Sequence, residues 1–315
     1  MTTPFRFAVQ LDNALADSTW TDSVREVESL GYSTVFVPDH FNEGLGPLAA
    51  MASAIAVTET LNVGSLVLDC DYRHPAVLAR ELATIDSMSE GRLEVGLGAG
   101  WMASDYEHSG IPMDAPKVRV DRMIEHATIL RRLFTEESVT FDGEHYQIKE
   151  LPGTPKPHGP DGPPFLIGGG ARRVLRFAGS FAEIVGINPS IHSGEIDQAA
   201  AQDGMPDRID KKAGWVAEGA AKRTDGRALK DLEINAWLAA AQVTEDRDSV
   251  GQFLGELFGV APEVGLASPM ALVGTAAQIA DDLNERRDRW GYSYTVIPGD
   301  EARNFAPIVA ELAGQ

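Results

Sequence analysis

The chain predicts an α/β fold, a (β/α)8 barrel, on three observations. Eight short, β-rich apolar runs alternate with helical patterns in unbroken order. The apolar runs are nearly continuous instead of alternating with polar residues, as for strands covered on both faces. The length of 315 residues suits one barrel of roughly 250 residues with additions, and no stretch has the composition of a long flexible linker. The expected organisation is one domain over 1–315 with inserted segments at about 136–163 and 188–230.

Taken in order, Phe5–Leu11 is the first strand, Trp20–Leu30 an amphipathic helix, and Thr34–Val37 a strand that runs into Pro38-Asp39-His40. Pro47–Thr58 is helical. Val63–Leu68 is the third strand, and Pro75 then sits where a first helical residue loses nothing by lacking an N–H. Leu78, Leu82, Ile85 and Met88 recur at helical spacing and give that helix one apolar stripe, which Gly91 ends. Leu93–Leu97 leads into a loop of alternating glycines, and Lys117–Phe134 is a long helix. Ser138–Ile148 carries Asp142-Gly143 between two β-like runs, a hairpin outside the alternation. The proline-rich run 151–164 is irregular. Strands then fall at Phe165–Ile167, Glu183–Ile187, Leu232–Leu238 and Tyr292–Ile297. Helices fall at Arg172–Ala178, Pro206–Arg223, Asp248–Phe258, Ala276–Trp290 and Asn304–Leu312.

A formal net charge of −20 argues against nucleic acid and anionic membrane as partners. No apolar run approaches the roughly 20 residues of a membrane helix, and MTTPFRFAVQL lacks a charged leader region. Cys70 is the single cysteine, which excludes an internal disulfide and fits a reducing, cytoplasmic setting. The seven histidines, His40, His74, His108, His126, His145, His158 and His192, include no metal-binding spacing, so no metal is expected.

Four groups of residues carry candidate chemistry. Asp39 and His40 follow the second strand, at the end where barrels keep their chemistry, and a histidine there can exchange a proton with a substrate. The run Gly96-Leu97-Gly98-Ala99-Gly100-Trp101 lets backbone approach a flat or phosphorylated ligand at Gly98 and Gly100. A packed turn accounts for these glycines as well, and Trp101 breaks the dinucleotide fingerprint. Gly168-Gly169-Gly170 precedes a helix beginning Ala171-Arg172-Arg173-Val174-Leu175-Arg176. Free N–H groups there form an anion site, and Arg172 and Arg176 are the local basic patch that an acidic chain needs for a phosphorylated ligand. The segments Asn42–Leu45, Trp101–Tyr106 and Asn188–Asp207 are the expected substrate-side walls.

These motifs resemble those of the bacterial luciferase-like monooxygenase family, more closely its deazaflavin (coenzyme F420)-dependent branch. The resemblance rests on an ordered set along nearly the whole chain. It comprises Val37-Pro38-Asp39-His40, Gly64-Ser65-Leu66 through Tyr72-Arg73-His74-Pro75-Ala76, Gly91-Arg92-Leu93 through Trp101, Phe165-Leu166-Ile167-Gly168-Gly169-Gly170 and Val273-Gly274-Thr275-Ala276-Ala277-Gln278-Ile279. It implies an oxidoreductase that passes hydride between coenzyme F420 and a small organic substrate, with His40 as acid/base and Asp39 beside the reactive ring. It further implies a non-prolyl cis peptide at Ser65-Leu66 under the ring, and a polar cofactor contact at Ser104, where relatives often have asparagine. Members usually pair through barrel helices, so a homodimer is expected, with the striped helix Ala76–Met88 in the contact. The alternatives are a reduced-FMN-dependent monooxygenase on the same fold, a barrel that binds flavin without turnover, and a metal-dependent hydrolase.

Overall fold

The computed structural model describes residues 3–191, 193–195 and 197–315. His192 and Ile196, named or spanned by the expectations above, lie outside the described residues. The elements in chain order begin with β1 (Arg6–Gln10), α1 (Trp20–Ser29), β2 (Thr34–Val37), α2 (Pro47–Ile55), β3 (Asn62–Ser65), β4 (Leu68–Asp69), α3 (Pro75–Met88) and β5 (Leu93–Gly98). There follow α4 (Ala103–Ser109), α5 (Pro116–Thr135), β6 (Ser138–Asp142), β7 (Gln147–Pro152), β8 (Phe165–Gly169), α6 (Arg172–Phe181), β9 (Ile184–Ile187), α7 (Gln198–Asp203) and α8 (Pro206–Ala220). The chain closes with β10 (Glu233–Trp237), β11 (Ala240–Val243), α9 (Arg247–Phe258), α10 (Pro262–Leu266), β12 (Ala271–Gly274), α11 (Ala276–Trp290), β13 (Tyr292–Pro298) and α12 (Ala302–Leu312).

Parallel pairing runs β3-β2-β1-β13-β10-β9-β8-β5, and β5 returns to β3 through Val63↔Leu93 and Gly64↔Glu94. That contact closes eight strands into the expected (β/α)8 barrel. Local chemistry sets the boundaries: Thr19 caps α1 by accepting from Asp22 N, Pro75 opens α3, and Thr275 with Gln278 forms a capping box on α11. Inside the barrel Ala8, Phe36, Leu166, Ile184, Tyr294 and Val296 pack together, with Leu66 and Val67 against them. A larger apolar core lies between the strands and their helices and takes in Leu78, Leu82 and Ile85 of the α3 stripe.

Three features differ from the sequence expectations. The third strand is not one run over Val63–Leu68: it breaks into β3 and β4 around a cis peptide at Leu66–Val67. The expected Ser65-Leu66 cis bond is therefore one residue out of place. Ser65 still belongs to the strand, paired with Val37 and donating its hydroxyl to the Val37 carbonyl at 2.7 Å, so the irregularity begins after it. Secondly, the parallel pair β11–β12, with α9 and α10 between, is a further excursion that the sequence did not announce. The runs AAQV and ALVG are short and alanine-containing, with little β signal. Thirdly, α4 and α7 appear where no apolar periodicity was visible, because seven and six residues are too few to show one. The hairpin β6–β7 stands as expected.

Candidate active site

A cavity of about 300 Å³ opens over the barrel interior at the carboxyl ends of the strands. Its floor is Leu66 and Val67 with Gly98, Ala99 and Gly100; Met102, Met123 and Val174 add apolar wall. The glycines of β5 answer to this floor. A Cβ on Gly96 would run into the carbonyl oxygen of Ser65, and one on Gly98 would lie 2.6 Å from Val67 Cγ2. Close approach of the broken strand, and not the ligand alone, demands glycine there.

Asp39 and His40 both line the cavity, carried there by the end of β2. His40 Nδ1 lies 2.6 Å from Asp105 Oδ2, and Asp105 Oδ1 accepts the backbone N–H of Phe41 at 3.0 Å. Asp105 is only 4% exposed and sits on α4. In the neutral ring this contact assigns the proton to Nδ1 and leaves Nε2 as the atom that can accept one. Trp101 meets the imidazole edge-on at 5.6 Å between ring centres. Asp39 plays a different part: its carboxylate takes a two-pronged contact from Arg73, at 2.5 and 2.9 Å, and accepts the N–H of Asp69 at 3.0 Å. It therefore ties three connections of the cavity wall together.

Arg119, on α5, is a group that sequence reasoning missed. It is 7% exposed, lines the cavity, and donates through Nη1 to the carbonyls of Ala99 and Gly100 at 3.2 and 2.6 Å. Its Nε is buried with no partner, and no carboxylate pairs with it among the described residues. A buried cation without a counter-ion is a place for an anion or a ring acceptor. The available signal was periodicity: Arg119 falls four residues before Met123, on the face that continues to Ala127 and Leu130. Asn188, also lining the cavity, leaves Oδ1 buried and unpartnered. An apolar floor edged by such unsatisfied polar atoms fits a flat heteroaromatic ligand with an anionic side chain.

The remaining expected residues divide. Gly168, Gly169 and Gly170 line the cavity at the amino end of α6, whose cap, Ala171, offers no side-chain bond. Leu66 lines it too, while Ser65 is buried behind it in β3. Ser104 is exposed on α4 and is not a lining residue. Arg172 and Arg176 converge on Glu218 of α8, at 2.9 and 3.3 Å, outside the lining, and Arg173 pairs with Asp121. Of the substrate-side segments, Trp101, Met102, Asp105 and Asn188–Ile191 reach the cavity; Asn42–Leu45 does not. Asp69, Cys70 and Asp71 bring three donor atoms within 4.8 Å of one another, but Arg122 already pairs with Asp71 at 2.8 Å.

The profile of the luciferase-like monooxygenases matches residues 2–293. The chain belongs to that family. An F420-dependent glucose-6-phosphate dehydrogenase of Intrasporangium calvum is 33% identical over 168 residues, which is half of each chain. One from Nakamurella multipartita is 26% identical over 98% of this chain and 95% of its own length. The coenzyme F420-dependent tetrahydromethanopterin reductase of Methanopyrus kandleri superposes with a TM-score of 0.75 over 99% of both chains at 17% identity. An F420-dependent secondary alcohol dehydrogenase superposes with 0.74 over 98% of both chains at 18% identity. The long-chain alkane monooxygenase LadA reaches 0.75 at 15% identity, covering 99% of this chain and 92% of its own. At such identities the structural likeness speaks for the luciferase-like barrel.

Proposed function

We propose that this luciferase-like protein is an oxidoreductase that uses coenzyme F420 to move hydride to or from a small organic substrate. The observation that carries it is His40, fixed by Asp105 at 2.6 Å on the rim of an apolar cavity at the strand ends. The F420-dependent relatives named above support the choice of cofactor. Coenzyme F420, when bound, supplies a two-electron hydride carrier. The protein's residues do the rest. His40 holds or accepts the proton of the substrate's hydroxyl at Nε2, because Asp105 occupies Nδ1. Leu66 and Val67 would hold the ring and keep water from one side of it, and Arg119 would offer its uncompensated charge. We assign the cofactor's phosphorylated tail to the backbone of Gly168–Gly170 at the start of α6. Arg172 and Arg176 would join it by leaving Glu218, with which they form an exposed, solvent-screened pair.

Separate titration of the purified protein with coenzyme F420 and with FMN tests the proposal. Tighter binding of F420 is expected; tighter binding of FMN turns the assignment to a monooxygenase. We also propose a cytoplasmic homodimer. Among the described residues no helix is long and apolar enough to cross a membrane. The core takes Leu78, Leu82 and Ile85 of the α3 stripe, but Val77 and Met88 on α3 stay 60% and 63% exposed, and Ala76, Ala79 and Arg80 of the same helix line a surface groove with Leu151 and Pro155. Sedimentation at micromolar concentration is expected to give a dimer, and a monomer overturns it.

A further inference from the structure

Three carboxylates line the cavity, those of Asp39, Asp69 and Asp105. Two have basic partners: Arg73 for Asp39 and His40 for Asp105. Asp69 has none among the described residues, although it is only 6% exposed. The groups that face it come from every neighbouring element. Asp39, itself paired with Arg73, approaches from the end of β2 and accepts the Asp69 N–H. Asp71 and Tyr72 come from its own loop, and Tyr106 from α4, where Asp105 reaches Tyr72 instead. From α5, Arg122 pairs with Asp71, and Arg119 bonds to the carbonyl of Gly100, the residue that abuts Asp69 Oδ2.

The phenol of Tyr106 decides the protonation. Its Oη lies 2.9 Å from Asp69 Oδ2 and 2.9 Å from Asp71 Oδ2. A phenol has one proton, so it cannot donate fully to two carboxylates. The second short contact calls for a second proton. Asp71 has Arg122 at 2.8 Å, which leaves Asp69 as the place for it. With Asp69 protonated the hydrogen bonds run in one direction, Asp69 donating to Tyr106 Oη and Tyr106 to Asp71; with Asp69 ionised, Tyr106 is its donor. The other Asp69 oxygen accepts the N–H of Asp71 at 2.9 Å. Gly100, at φ +70°, makes room for this arrangement, since a Cβ there would collide with both Tyr106 Oη and Asp69 Oδ2.

We propose that Asp69 is a proton-holding group of the site: neutral in the resting protein at mildly acidic pH, and reprotonated from solvent at neutral pH when an anionic cofactor enters the cavity. The first half stands by itself, and the second rests on the proposed cofactor. Burial, with Asp71 and Asp39 as negative neighbours, pushes the Asp69 carboxyl up to about 6 against the opposing bonds from Asp71 N–H and Tyr106. A further anion at the wall raises it again, so a group mostly ionised at pH 7 takes up a proton on binding. At pH 5 it is already protonated and takes up none.

Carboxyl-carbon NMR of the ligand-free protein labelled at aspartate tests the first half. One resonance titrating near pH 6 is expected, and Asp69→Asn, which keeps the shape, removes it. Absence of such a resonance in the wild type, or its survival in Asp69→Asn, overturns the proposal. Calorimetry of coenzyme F420 binding in two buffers of different ionisation heat tests the second. About one proton taken up at pH 7 and none at pH 5 is expected, with uptake lost in Asp69→Asn and retained in His40→Gln. Binding without uptake, or uptake lost only in His40→Gln, overturns the coupling. If coenzyme F420 does not bind at all, the cofactor assignment and the coupling fall together, and the NMR result for Asp69 is unaffected.

Discussion

Asp105 grips His40 at Nδ1 with one carboxylate oxygen, 2.6 Å away, and the N–H of the next residue, Phe41, with the other at 3.0 Å. Ring and backbone are thus held by one buried group, so the two side chains act as a unit. His40→Ala is expected to lower turnover by roughly 10²–10⁴ while cofactor affinity stays within a few-fold. Asp105→Asn keeps the bond from Phe41 only by turning its NH2 to Nδ1, which puts the ring proton on Nε2, so its loss is expected to approach that of His40→Ala. The double variant is expected to be no slower than His40→Ala alone, since neighbouring residues that act through one contact are not additive. Steady-state rates for the three proteins check this, and additive losses refute it.

His126 offers a stability test away from the site. It is fully buried on α5, and desolvation first, then the neighbouring His74 ring, holds its imidazole down at about 3, against an ordinary value of about 6.5. The folded protein keeps it neutral while the unfolded chain protonates it below that value. Between these two values the unfolded state binds more protons, so stability falls as pH drops through this window, by up to about 1.4 kcal/mol per pH unit. Asp69 works in the opposite direction over part of the same range, because its folded value is raised. The comparison of wild type with His126→Leu isolates the histidine. The acid-induced fall in melting temperature between about pH 6 and pH 4 is expected to be smaller in the variant; parallel curves refute it.

The barrel was legible in the sequence because each strand is a short, doubly covered apolar run and each helix keeps a stripe; the parallel closure of β5 on β3 follows from that order. His40 was legible because it sits just past a strand end. Its partner was not, since Asp105 lies 65 residues away on a helix too short to show periodicity. Arg119 was hidden by the opposite effect: a charged residue in a striped helix reads as solvated, and only the fold shows that its face is the buried one. Asp69 and Asp71 look like a loop's ordinary polar residues until Tyr106 is placed between them.

Two glycines with opposite surroundings test how tightly the cavity floor is built. Gly96 has no room for a side chain, because the Ser65 carbonyl lies where its Cβ would be, and both are backbone. Gly96→Ala is expected to destabilise by about 3 kcal/mol or more, the upper end for overpacking. Gly214, exposed within α8, has nothing within 4 Å of the same position. Gly214→Ala is expected to stabilise by about 0.5–1 kcal/mol, the helix preference of alanine over glycine. Denaturant midpoints of the two variants check both signs, and a neutral Gly96→Ala means that β5 and the broken strand can move apart.

The pair formed by Arg172 and Arg176 with Glu218 gives a test in which two substitutions should act in opposite senses. Arg172 opens α6 directly after the Gly168–Gly170 backbone that lines the cavity, Arg176 follows one turn on, and Glu218 holds both at 2.9 and 3.3 Å. If they serve the phosphorylated tail, Glu218 competes with that tail for them. Replacing both arginines with alanine is then expected to weaken whole coenzyme F420 roughly tenfold or more, since a hydrogen bond to a charged group is worth about 1.5–3 kcal/mol. A tail-less ring analogue should lose almost nothing. Glu218→Ala is expected to tighten the whole cofactor, because it frees the arginines and removes a negative charge from the same place. Both effects should shrink as salt rises, for the groups are exposed and screened. Equal weakening of cofactor and analogue in the double variant, or no tightening in Glu218→Ala, would leave the tail to the α6 backbone and Arg119.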